Sequence, residues 1–182
     1  SMALCPLLIK KLDERKAYIL LSVYGFAASV FSFVIGHFWF QSPDNMVLTV
    51  LFYASLFLIG LQFGAVTLMP MIMTADCVDY YEYETGKRME GAAYSILTLT
   101  IKVCLALGTA VGLIFVQVSG YYDALGAGTF TTKTKDIIFF AYTALPGVLA
   151  LLSIFPMFKY DIVGEKKAQI SAALSQRRAG KE

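Results

Sequence analysis

Four long apolar runs dominate the chain, at residues 17–38, 46–69, 92–118 and 137–158. Each exceeds the roughly twenty residues that a helix needs to cross a hydrocarbon core about 30 Å thick. A soluble fold would break such runs with polar faces at helical or strand period. Here charge is almost wholly excluded, so the pattern predicts an all-α integral membrane protein with four transmembrane helices. Between the runs the breaks are chemically plain. Pro43 and Asn45 punctuate a turn at 41–45, and Pro70 is expected to bend or end the second helix. Residues 119–136 are rich in Gly and Thr and read as a loop, and Pro146-Gly147 predicts a kink in the fourth span. Residues 3–9 are apolar but too short to cross and look like the tail of a helix whose beginning is missing; 10–16 form a basic loop. The polar tail, 159–182, carries Ile162, Ile170, Ala173 and Leu174, which suggest either a short amphipathic helix at the membrane surface or a solvated end.

Composition agrees: 58% of the 182 residues are hydrophobic and 15% charged, against about half and a quarter in soluble domains. Cys5, Cys77 and Cys104 are scattered and suit apolar filling better than disulfides. With His37 as the only histidine, no metal site is expected. His37 adjoins Phe38, Trp39 and Phe40, as at a headgroup boundary. Nothing in a net charge of +2 calls for nucleic acid, and no nucleophile–base set suggests an enzyme. Twelve of the fifteen Lys and Arg fall on the side of the first loop, the 74–91 segment and the tail; only Lys133 and Lys135 fall on the other. The positive-inside rule makes the first side, with both chain ends, cytoplasmic.

The fifteenth cation, Lys102, lies inside the third span, about ten residues or roughly 15 Å from its start. Charge at that depth costs at least about 2.5–3.5 kcal/mol and normally faces a polar cavity or an acid. Ser95, Thr98, Lys102, Ala106 and Thr109 recur at i+3 and i+4, with Tyr94 alongside, making one small, polar, lysine-bearing face. No acid is expected in any span, so a partner for Lys102 would have to come from helices outside the chain. Gly60/Gly64 and Gly108/Gly112 have the small-xxx-small spacing of close helix contacts.

Segment 74–91 is the most polar stretch of the apolar region. Asp76 and Asp79 are one helical turn apart, and Gly86 supplies a turn that presents Lys87 and Arg88 beside them. Paired charges there could open and close a cytoplasmic gate, or simply hydrate a loop. The order Ala75-Asp76, Asp79-Tyr80, Glu82, Thr85-Gly86-Lys87-Arg88, Glu90-Gly91, Tyr94-Ser95 and Lys102 resembles the signature loop of the glycoside-pentoside-hexuronide:cation symporters, within the major facilitator superfamily. The resemblance implies that the four spans are helices nine to twelve of twelve, and that 74–91 is the cytoplasmic loop between helices ten and eleven. It implies that Lys102 lies beside the cation and sugar sites, and that Thr98 lines the sugar cavity with Tyr94 and Ser95 nearby. Asp76, Asp79, Arg88 and Glu90 would close the inner side. Sugar and Na+ or H+ would be the substrates, with no other cofactor, and the cation-binding carboxylates would sit on N-terminal helices that this chain lacks. The competing expectation is a self-contained four-helix unit that oligomerises as a small exporter or interaction subunit, favoured by four complete spans and two glycine pairs.

Overall fold

A helix that must satisfy its backbone in lipid can do so only internally, and the apolar runs duly fold as helices throughout the described residues, 12–179, of the computed structural model. The expected apolar stub at 3–9, with Cys5, Lys10 and Lys11, and Lys181 lie outside them. The helices are α1 (Glu14–Gln41), α2 (Met46–Thr85), α3 (Glu90–Val118), α4 (Tyr121–Ala127), α5 (Thr132–Tyr142), α6 (Ala144–Leu152), α7 (Ile154–Met157) and α8 (Gly164–Ala179). Helices α1, α2, α3 and the α5–α7 series (Thr132–Met157) are long and apolar enough to cross a membrane. The all-α, four-span architecture read from the hydropathy pattern is thus present, and it has the form of part of a twelve-helix major facilitator fold.

α1 is the packing centre, between α2 and the α6 end of the fourth span. Its buried face is small: Ser22, Gly25, Ala28, Ser29, Ser32 and Gly36 recur every three or four residues. Small residues let backbones approach, which is how helices gain dispersion contacts without a hydrophobic drive from water. Gly147 of α6 sits on Ser29 so closely that an added Cβ would lie 2.6 Å from the Ser29 Cβ. Ser32 and Ser55 share a buried hydrogen bond of 3.0 Å between α1 and α2. At one end Trp39 stacks on Phe52 at 4.5 Å beside Phe40 and Phe139. There His37, expected only as an interfacial residue, also bonds Asp136 Oδ2 through Nδ1 (2.9 Å), and Gln41 Nε2 lies 2.8 Å from its Nε2. The other end carries Glu14, Gly86 and α8 and is called the basic end below.

Several local expectations need correction. Residues 119–136 are not a loop throughout: α4 (Tyr121–Ala127) and the first turn of α5, from Thr132, lie within them, and α1 begins at Glu14, inside the expected basic loop. Pro70, expected to bend or end its helix, does not end it: α2 runs 40 residues through it, beside Met69, which is fully buried against Ala17 of α1. Segment 74–91 is consequently not a loop over most of its length, nor are its acids loop residues. Asp76, Asp79, Glu82 and Glu84 ride on the last three turns of α2, and only 86–89 are non-helical. The fourth span breaks twice, at Thr143 and Ser153, each three residues before a proline (Pro146, Pro156). A proline lacks the N–H that would bond the carbonyl four residues back and clashes with it, so the disruption falls one turn upstream. Thr143 Oγ1 donates to Phe139 O (2.7 Å) and Ser153 Oγ to Ala150 O (2.6 Å) at the two breaks.

Candidate functional site: a lysine-bearing helix face and a charged clamp at the basic end

α3 begins at Glu90, and Lys102 lies twelve residues, about 18 Å, along it. The helix touches α2 and α5, yet none of its residues is buried. Ser95, Thr98 and Lys102 are exposed and Tyr94 is half-buried. Ser95 Oγ donates to Gly91 O (2.7 Å) and Thr98 Oγ1 to Tyr94 O (2.8 Å). These inward bonds leave the hydroxyl oxygens as acceptors on the helix surface. Among the described residues no carboxylate lies within 4.0 Å of Lys102. The polar face anticipated from the spacing is present, and it is unoccupied by any neighbour of this unit.

At the basic end, the four residues expected to act together divide into two groups. Gly86 caps α2 in the left-handed region (φ 71°), its N–H bonding Glu82 O at 2.9 Å, and turns the chain back toward α2. That turn brings Arg88 to Glu82 (2.9 Å), Glu90 (3.0 Å) and Asp79 (3.5 Å). Arg178 of α8 meets the same Glu82 at 2.9 Å and Asp79 at 3.8 Å. Two guanidiniums therefore share one carboxylate and tie α8, α2 and the α2–α3 turn together. Asp76 stands apart, buried, where Lys167 of α8 bonds its Oδ1 at 2.7 Å and Glu14 Oε1 of α1 at 2.7 Å. Tyr160 OH donates to Asp76 Oδ2 at 3.0 Å.

The electrostatics of this second group follow from burial and pairing. Burial opposes the Lys167 ammonium, but its hydrogen bonds to Asp76 and Glu14, and their charges, outweigh it and raise its pKa. Burial, then the Asp76 charge and hydrogen bond, holds the Tyr160 phenol well above its ordinary value, so it remains a donor. Between the charged groups Ile170 and Leu174 of α8 are buried, Lys166 lies over the Tyr80 ring, and Arg177 donates to Tyr83 O (2.9 Å). The tail is thus a helix docked on the end of α2.

Glu14, Glu82, Tyr160, Lys167 and Arg178 are the members of these groups that the sequence reasoning passed over. A signal was present. Lys167, Ile170, Leu174 and Arg178 follow i, i+3, i+7, i+11, one face with an apolar middle and a cation at each end. Among the described residues no His/Cys/Asp/Glu group is arranged to hold a metal ion.

Residues 1–164 match the family described as MFS/sugar transport protein. Relatives include the inner membrane symporter YicJ of Escherichia coli K12, 31% identical over 59% of this chain and 23% of its own length. The glucuronide carrier protein homolog of the same organism is 28% identical over 58% of this chain and 22% of its own length. A 29.9 kDa protein of Pseudescherichia vulneris is 27% identical over 93% of this chain and 60% of its own length. The chain therefore spans between about a fifth and three fifths of these curated relatives. No solved structure matches it significantly.

Proposed function

The chain belongs to the MFS/sugar transport protein family, a family of transporters and not of enzymes, and from that premise we propose that it forms the C-terminal part, helices nine to twelve, of a sugar:cation symporter. Its substrate would be a glycoside, pentoside or hexuronide carried with Na+ or H+, by alternating access between two helical halves. The glucuronide carrier homolog among its relatives supports the hexuronide end of that class. The basic end is cytoplasmic by the positive-inside rule.

The observation that carries the reading is α3: a spanning helix with no buried residue and with Lys102, on its polar face, unpaired among the described residues. An uncompensated cation in the hydrocarbon layer is costly, so this face belongs against water, substrate or an acid of the other helices. Lys102 would hold charge balance between the coupling cation's carboxylates and the sugar. Ser95, Thr98 and Tyr94 would offer hydroxyls to the sugar. Asp79, Arg88 and Glu90, joined by Glu82 and Arg178, would make and break at the inner mouth, with Asp76 anchoring the tail beside them. The test is counterflow uptake of labelled glucuronide and xyloside by a transporter in which the preceding helices accompany this chain. Lys102→Ala should abolish cation-coupled accumulation; undiminished accumulation would refute the role.

A further inference from the structure

At the end of the bundle opposite the basic end, a titratable pair with no part in the proposed transport cycle holds α1 to the fourth span. His37 stands four residues before the end of α1, and Asp136 is the fifth residue of α5. His37 Nδ1 lies 2.9 Å from Asp136 Oδ2, and Gln41 Nε2 lies 2.8 Å from His37 Nε2. Packing fixes this geometry from below: the Phe139 ring, one turn along α5 from Asp136, lies against Gly36, the neighbour of His37.

Histidine changes charge between about pH 5 and 8, and this site accepts both of its forms. In the neutral form Nδ1–H donates to Asp136, and the bare Nε2 accepts from the Gln41 amide. In the charged form Nε2–H donates to the Gln41 side-chain oxygen once that amide turns over. The bond to Asp136 then becomes charge-assisted, which makes it roughly twice as strong. Asp136 Oδ1 is buried and has no hydrogen-bond partner among the described residues, so the carboxylate is answered through Oδ2, where a cation compensates it best. The side chains of His37 and Asp136 are 42% and 23% exposed, open enough for protons to reach them and closed enough to limit screening. Of the other charged groups toward this end, Lys135 is turned onto the Phe40 ring at 6.0 Å and Lys133 is exposed. Asp44, after α1, and Asp123, on α4, form no ion pair with His37. Tyr53 is the titratable side chain of α2 at this level, and α6 has none.

α5 is a separate segment able to respond, because the helix is interrupted at Thr143. It is also joined to the helix that carries Lys102. Thr134 Oγ1 donates to Ser119 O, at the end of α3, at 3.0 Å, and the Phe140 and Phe115 rings lie 6.2 Å apart. We propose that His37 and Asp136 form an acid-strengthened clasp. Protonation of His37 from the medium at this end tightens α5, and with it the end of α3, onto α1. Naming that medium the outer one rests on the proposed topology; the clasp does not.

The test is hydrogen exchange read by mass spectrometry on a transporter in which the preceding helices accompany this chain. Exchange is measured at about pH 5 and about pH 8, with rates corrected for the intrinsic pH dependence of amide exchange. Exchanging a neutral for a charge-assisted bond should slow peptides covering 132–142 roughly fivefold at the lower pH. His37→Gln keeps a donor for Asp136 without a titratable group, and Asp136→Asn keeps an acceptor without charge; either should abolish the slowing. Peptides covering 164–179, at the opposite end, should match the native protein at each pH, which establishes that the variants are folded. Absence of slowing in the native protein, or slowing that persists in either variant, overturns the proposal. No sugar or coupling cation is needed, so failure of the clasp is distinguishable from failure of the symport reading, which uptake decides.

Discussion

Lys167→Met isolates the tie that holds the tail helix to the bundle. Lys167 Nζ is 2.7 Å from Glu14 Oε1 and 2.7 Å from Asp76 Oδ1, whose side chains are only 10% and 8% exposed. Removing the cation would leave two buried carboxylates facing one another with Tyr160 as the remaining donor. Breaking a fully buried pair costs about 3–5 kcal/mol. Lys167 is 36% exposed, so solvent screens part of that, and about 1–3 kcal/mol is expected for undocking α8. At about 2 kcal/mol the amides of α8 should exchange with deuterium roughly thirtyfold faster, read by mass spectrometry on peptides covering 164–179. Arg178→Gln removes a cation whose partners are more open and which Arg88 duplicates, and should change the rate by less than about fivefold. Adding Glu14→Gln to Lys167→Met should recover part of the loss, because it removes one of the stranded charges. Unchanged exchange in Lys167→Met, or a larger effect from Arg178→Gln, would refute the assignment of the buried pair as the principal fastening.

The same contacts predict a response to alkali. The pKa values of Lys167 and Tyr160 are raised in the folded protein, so their contribution is complete below the ordinary values and is lost as pH climbs through the folded ones. The distance between spin labels at Glu84→Cys and Ser175→Cys, with the native cysteines replaced by serine, should hold through neutral pH. It should lengthen only above the ordinary lysine value of 10.5; release near neutrality would contradict the pairing. In the packed interior, Gly147→Ala drives a methyl into Ser29 Cβ, whereas nothing lies within 4 Å of a Cβ at Gly60. Thermal unfolding in detergent should show Gly147→Ala destabilised by about 1–3 kcal/mol and Gly60→Ala near neutral, and the reverse order would count against the α1–α6 packing.

What one dimension can carry, this sequence carried. Length and exclusion of charge are local properties, so four spans and an all-helical chain were legible, as was the polar face of Ser95, Thr98 and Lys102, which needs only the 3.6-residue period. Prolines could be seen as disruptions, but their effects depended on neighbours. α2 runs through Pro70 with Met69 buried against Ala17 beside it, while the breaks attributable to Pro146 and Pro156 fall a turn upstream at Thr143 and Ser153. Which charge meets which lay beyond the sequence. Asp76 and Asp79 look like one pair on a helix turn, yet the fold sends Asp76 to Lys167, 91 residues away, and Asp79 to Arg88 and Arg178. Coulomb attraction is short-ranged in effect and indifferent to sequence order, so partners are chosen by whichever helices packing brings within a few ångströms. The same holds for Gln62 and Gly25, 37 residues apart in the sequence, which only the packing of α2 on α1 brings into contact.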